Sequence, residues 1–210
     1  MLFINQRDYP DMLYPTLLDT PEHPKSGKTT VFSSACGPCS AMMVLDRLVP
    51  ACDYSFTLED ALQLSYETGA NHASGTDGKL YFPAFAEKFG LRYVPTNDIE
   101  AVKECLRTGG AVIALVGERE EDGYVGVFTH KEHYICIIAV LSDGRFELLD
   151  PYFYDGKYDE PGREGKVELD GHIARCAESV ILDDTLLIRR RSEGFPPTEK
   201  TKAFHLFWRV

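Results

Sequence analysis

The stretch Ser33 to Leu45, S-S-A-C-G-P-C-S-A-M-M-V-L, does most to limit how this chain folds. Its apolar positions Ala41, Met42, Val44 and Leu45, continued by Leu48, recur at helical spacing, and Pro50 ends the run, so a helix begins at or next to Cys36. The unsatisfied N–H groups of its first turn and the positive end of the helix dipole favour an anion, so a thiol placed among them ionises more readily than a free cysteine. Cys36 is therefore the leading candidate for a nucleophile.

Residues 1 to 32 carry four prolines and little periodicity, which predicts an extended arm with turns. Thr57 with Asp60 signals the start of a second helix that stops at Gly69. The Gly-rich stretch 69 to 78 reads as a loop, and Phe82 to Lys88 as a short helix closed by Gly90. Leu91 to Val94 is a brief strand, and Asp98 caps a helix over Ile99 to Leu106. The run Ala111 to Val116 is a buried strand, followed by a surface turn from Gly117 to Gly126. From His133 onward the pattern is β: Tyr134 to Leu141, a turn at Ser142-Asp143-Gly144, then Arg145 to Leu149. After a polar loop from Tyr154 to Gly165, the expectation is a short helix near His172 to Glu178, a strand over Thr185 to Arg190, a Pro-rich loop and a last strand, Ala203 to Val210. Helices followed by antiparallel strands predict an α+β fold, and at 210 residues with no composition break one domain over 1–210 is expected.

The hairpin supplies partners for the thiol. Pairing across the Ser142-Asp143-Gly144 turn sets His133 near residues 150 to 153, so Asp150 can reach the imidazole from the neighbouring strand. A cysteine nucleophile needs such a base, and the base needs a third group to orient it. Cys36, His133 and Asp150 form a candidate triad.

These segments resemble the papain-like cysteine peptidases, specifically stand-alone relatives of the double-glycine-leader peptidases that process bacteriocin precursors. S-S-A-C-G-P-C-S-A-M-M-V-L, H-Y-I-C-I-I-A-V and L-L-D-P-Y carry the resemblance, which spans roughly residues 1 to 153. It implies a central helix opened by the cysteine, a His at the start of a strand and an Asp-Pro at the end of the next. It also implies an oxyanion-hole glutamine upstream of the cysteine, for which Gln6 in N-Q-R-D-Y-P is the candidate. The implied activity is cleavage of a peptide or amide bond, or transfer of its acyl group, through a thioester on Cys36. Ala35, Cys39 and Lys131-Glu132 depart from the family pattern and bear on substrate choice.

Two other classes of function compete. Cys36-Gly37-Pro38-Cys39 spells a thioredoxin redox motif, but the polar stretch Lys28 to Ala35 precedes it where a hydrophobic strand is required, and the only Trp is Trp208. An inactive, peptide-binding member of the same fold is the third class. Metal is not expected: His130, His133 and Cys136 recur in steps of three, which alternate faces on a strand. No cofactor motif is present, and G-T-D-G-K-L lacks the spacing of a phosphate loop. A formal charge of −11 sets the chain against nucleic acid and anionic membranes, leaving a peptide or small amide as the expected partner. The N-terminus lacks the basic and apolar regions of a leader, so the chain as given is expected in the cytoplasm, or outside the cell if a leader has been removed. The remaining cysteines, 52, 105, 136 and 176, are too scattered for a disulfide framework.

Overall fold

The computed structural model describes residues 1–14, 29–72, 75–193 and 202–210. The arm carries one 3-10 turn, Gln6–Asp8, capped by Asn5, whose side chain accepts from the Arg7 N–H. Then follow α1 (Val31–Ser34), α2 (Cys36–Leu48), α3 (Leu58–Glu67), β1 (Asn71–His72), β2 (Gly75–Thr76), α4 (Gly78–Lys88), β3 (Leu91–Thr96), α5 (Ile99–Arg107) and β4 (Ala111–Gly117). The second half runs β5 (Glu132–Val140), β6 (Phe146–Leu149), β7 (Val167–Asp170), β8 (Ile173–Cys176), α6 (Glu178–Glu193) and β9 (Phe204–Arg209). Strands β1 and β2 pair with each other, and the other seven form an antiparallel sheet in the order β3-β9-β4-β5-β6-β8-β7.

The predicted α+β class holds, and local chemistry explains the helices that were foreseen. Helix α3 begins in a reciprocal Thr57/Asp60 capping box, and α5 begins where Asp98 accepts from the Glu100 N–H. Helix α4 starts four residues before its expected Phe82, because Asp77 caps it by accepting from the Lys79 N–H.

Three expectations fail. The stretch near His172 to Glu178 is not a helix but strand β8, paired with the unforeseen β7 around a turn at Gly171 (φ +60°), a left-handed conformation that suits glycine. Thr185 to Arg190 is not a strand; it lies within helix α6. Its buried residues Val180, Ile181, Asp184, Thr185 and Ile188 follow the helical period, and packing that stripe on β4 outweighs the β preference of the Thr and Ile residues. The stretch 69 to 78, expected as loop, contains β1 and β2. Residues 15–28 of the expected arm and 194–201 of the Pro-rich loop lie outside the described residues.

The core lies between α2 and the sheet. Helix α2 buries Cys39 through Leu45 without interruption and packs on β5 and β4. Side chains such as Met43, Val44 and Leu45 each contribute about 1.5–3 kcal/mol on burial. All seven positions of β4 are buried, and since strand residues alternate faces, the sheet is covered on both sides there. Gly37 is required by contact: a Cβ on it would lie 2.9 Å from the Cβ of Thr76 in β2, so only glycine lets that strand close on the start of α2. No helix among the described residues is long and apolar enough to cross a membrane.

Candidate active site

Cys36 is the first residue of α2. One turn further on, the Ser40 hydroxyl donates to the Tyr134 carbonyl at 3.2 Å, and this bond between α2 and β5 sets Cys36 beside His133, which precedes Tyr134. The β5–β6 register pairs Cys136 with Leu149, so His133 comes alongside the residues that follow β6, as the hairpin argument expected. The His133 ring is 6 % exposed, and its Nε2 donates to Asp150 Oδ1 at 2.9 Å. That leaves Nδ1 for the hydrogen bond between the imidazole and the Cys36 thiol.

The electrostatics follow from these contacts. Burial pushes the Cys36 thiol up, but the hydrogen bond and charge of His133, with backbone hydrogen bonds from Tyr134 and Gly37, more than reverse this and leave it below its ordinary value. Burial pulls the His133 imidazolium down, yet its bonds to Asp150 and Cys36 leave it raised. The two shifts agree in favouring a thiolate–imidazolium pair. Cys39, three residues on, is fully buried and pushed the other way, first by burial and then by the charge of Cys36. Burial likewise pushes Cys105, Cys136 and Cys176 up to about 12.

Asp150 is 1 % exposed and every part of its carboxylate is engaged. Oδ1 accepts from His133 and from the Tyr152 N–H at 2.8 Å; Oδ2 accepts from Lys157 Nζ at 2.5 Å and the Tyr158 hydroxyl at 2.9 Å. Burial pushes this carboxyl up, but the charge of Lys157 and the bond to His133 hold it far below the usual carboxylate range. In the sequence Lys157 and Tyr158 fall in the polar loop 154 to 165, with no local pattern tying them to Asp150. The one available signal was Asp155-Gly156, a turn dipeptide: Gly156 takes φ +78° and sends the chain back beneath Asp150.

Gln6 reaches the same place from the far end of the chain. Its N–H donates to the Pro151 carbonyl at 2.7 Å, and Asn5 Nδ2 donates to the Phe153 carbonyl at 3.0 Å. The Arg7 guanidinium lies over the rings of Phe32, Tyr152 and Tyr154. These contacts fasten the arm to the loop after β6. Gln6 Nε2 then donates to the Phe32 carbonyl at 2.7 Å, while its buried Oε1 has no protein partner among the described residues. Gln6, Cys36 and His133 line one cleft of about 390 Å³, walled by Phe32, Phe128, Tyr152 and Tyr154. Asp150 sits behind His133.

Three other histidines have partners of their own. His130, on the cleft rim, pairs with Glu118 and Glu160. His172 stacks on Phe3, and His205 is a neutral core residue that burial drives to about 3. Among the described residues, no group of three or more His, Cys, Asp or Glu side chains is arranged to hold a metal ion.

Comparison with known proteins bears on the fold alone. A crystal structure of a provisionally assigned C39-like peptidase from Bacillus anthracis superposes with a TM-score of 0.50 over 94 % of each chain, at 11 % identity. The fold is that of a C39-like peptidase. No family model matches the chain, and no curated protein matches its sequence. In this fold the segment before the Cys36-Gly37-Pro38-Cys39 motif is the short helix α1, where the redox alternative requires a strand.

Proposed function

We propose that the protein is a cysteine peptidase-like hydrolase that opens a peptide or amide bond through a thioester on Cys36. The observation that carries this reading is a single chain of contacts, Cys36 to His133 to Asp150, with the thiol shifted down and the imidazole shifted up. In the first step the Cys36 thiolate attacks the substrate carbonyl and His133 gives its proton to the leaving amine. In the second, His133 takes a proton from water, which attacks the thioester and releases the acid; an amine in place of water yields transfer instead. Asp150 keeps the ring oriented and supports its charge. Gln6 and the Cys36 N–H are the donors assigned to the carbonyl oxygen as it becomes negative.

Iodoacetamide at neutral pH tests the nucleophile without knowledge of the substrate. Cys36 is expected to be alkylated ahead of Cys52, the one exposed thiol among the described cysteines, and a reactive acyl ester is expected to leave an acyl group on Cys36 that Cys36→Ala abolishes. Faster labelling of Cys52 with Cys36 inert overturns the assignment. So does efficient reduction of insulin disulfides, which requires a second usable thiol where Cys39 is buried.

A further inference from the structure

The carboxylate behind His133 carries a second ionic partner. Lys157 is 2 % exposed, and its ammonium donates to Asp150 Oδ2 at 2.5 Å and to the Tyr152 carbonyl at 3.0 Å. The rings of Tyr152, Tyr154 and Tyr158 stand 5.6–5.8 Å from Nζ. A buried ammonium is stable only when paired and hydrogen-bonded, and this one has both kinds of partner. Its loop is fixed in turn by Arg163, 1 % exposed, which donates to the carbonyls of Gly126 and Lys157 and pairs with Glu160.

We propose that Lys157 is a positioning residue of the site: its ammonium clamps Asp150 Oδ2, so that only Oδ1 is offered to His133, and offsets part of the carboxylate charge that the imidazole feels. This rests on reading Cys36, His133 and Asp150 as the triad. A carboxylate alone in a buried site stabilises the imidazolium so strongly that the ring becomes a poor donor to a leaving amine. A cation on its far oxygen moderates that pull while keeping the carboxylate ionised. The charged groups involved are few. His133 faces Cys36 and Asp150; Asp150 faces His133, Lys157 and the Tyr158 hydroxyl; Lys157 faces Asp150, with Arg163 and Glu160 of its own loop further off. Burial lowers the Lys157 ammonium and Asp150 opposes that.

The test is an NMR titration of the His133 ring in the full-length protein labelled with 15N-histidine, compared with Lys157→Met. The midpoint is expected to rise by about one pH unit in the variant, at the low end of what a neighbouring charge does. A purely structural lysine lowers stability without moving the midpoint, so superimposable titrations overturn the proposal. If Lys157→Met does not fold, the 15Nζ signal of Lys157 in the wild-type protein decides. A protonated ammonium across the pH range in which Cys36 is alkylated supports the proposal, and a neutral amine there overturns it. The two readings fail differently: a Cys36 no faster than Cys52 toward iodoacetamide removes the triad and Lys157's role with it, whereas a fast Cys36 with an unshifted His133 midpoint removes only the latter.

Discussion

Asp150 and Asp184 are both buried carboxylates that accept from a tyrosine hydroxyl and from backbone N–H groups, yet they are displaced in opposite directions. Asp184, on α6, takes the Tyr124 hydroxyl at 2.6 Å and the N–H groups of Val127 and Phe128 at 3.0 and 3.1 Å. Burial raises it, and those neutral donors, with a last and smallest contribution from the charge of Lys166, reduce the rise without cancelling it. Asp150 has a similar neutral set but adds Lys157 and His133, and it ends far below the usual range. Neutral hydrogen bonds and a cation out of contact do not keep a buried carboxyl strongly acidic here; a charge partner bonded to it does. Asp184 therefore serves as a latch, fixing the segment that leads into the cleft wall at Phe128, while Asp150 keeps a permanent charge beside a titrating imidazole.

The largest expected difference between the two is in rate. Asp150→Asn should slow acyl transfer by about 10³–10⁴-fold, as loss of the orienting carboxylate does in comparable triads, while Asp184→Asn leaves turnover within a few-fold of wild type. Assays on one responsive amide substrate check this, and equal losses would erase the distinction between charge partner and latch.

Stability sharpens the comparison further. Asp150→Asn strips Lys157 of its ionic partner, and breaking a buried pair from one side costs about 3–5 kcal/mol. The double variant Asp150→Asn/Lys157→Met should recover much of that in urea unfolding while remaining as slow as Asp150→Asn. A double variant no more stable than the single one shows that Lys157 carries no charge in the folded protein.

The pH dependences should run in opposite senses. Because the folded Asp150 lies below its unfolded value of about 3.9, its contribution is fully present above that pH and is lost as pH falls toward the folded value. Asp184 lies above its unfolded value, so the wild-type advantage over Asp184→Asn is largest at low pH and shrinks as pH rises from about 3.9 through the folded value. Unfolding midpoints of the wild type and both Asn variants between about pH 2 and 7 read the two slopes; slopes of equal sign contradict the assignment. The smallest effects belong to the hydroxyls: Tyr158→Phe and Tyr124→Phe should each cost about 0.5–1.5 kcal/mol, with only Tyr158→Phe altering turnover, by less than about tenfold.

What was legible in the sequence was set locally. Helix α2 is written in the spacing of Ala41 to Leu48 and in Pro50 beyond it, and the β5–β6 hairpin in the turn Ser142-Asp143-Gly144, so the convergence of Cys36, His133 and Asp150 needed only one long-range step. In the final third the local signals compete. The residues of α6 include β-branched Val180, Ile181, Thr185 and Ile188, whose strand preference competes with their helical spacing, and packing on β4 decides for the helix. Tertiary structure alone decided three things: that Gln6, thirty residues before the thiol, reaches the cleft through backbone bonds to the loop after β6; that β2 closes on Gly37; and that Lys157 is buried against Asp150. The physical reason is common to all three. Periodicity and capping report on neighbours a few residues apart, whereas a buried polar contact is fixed by whichever distant group ends up close enough to satisfy it, and no local pattern encodes that distance.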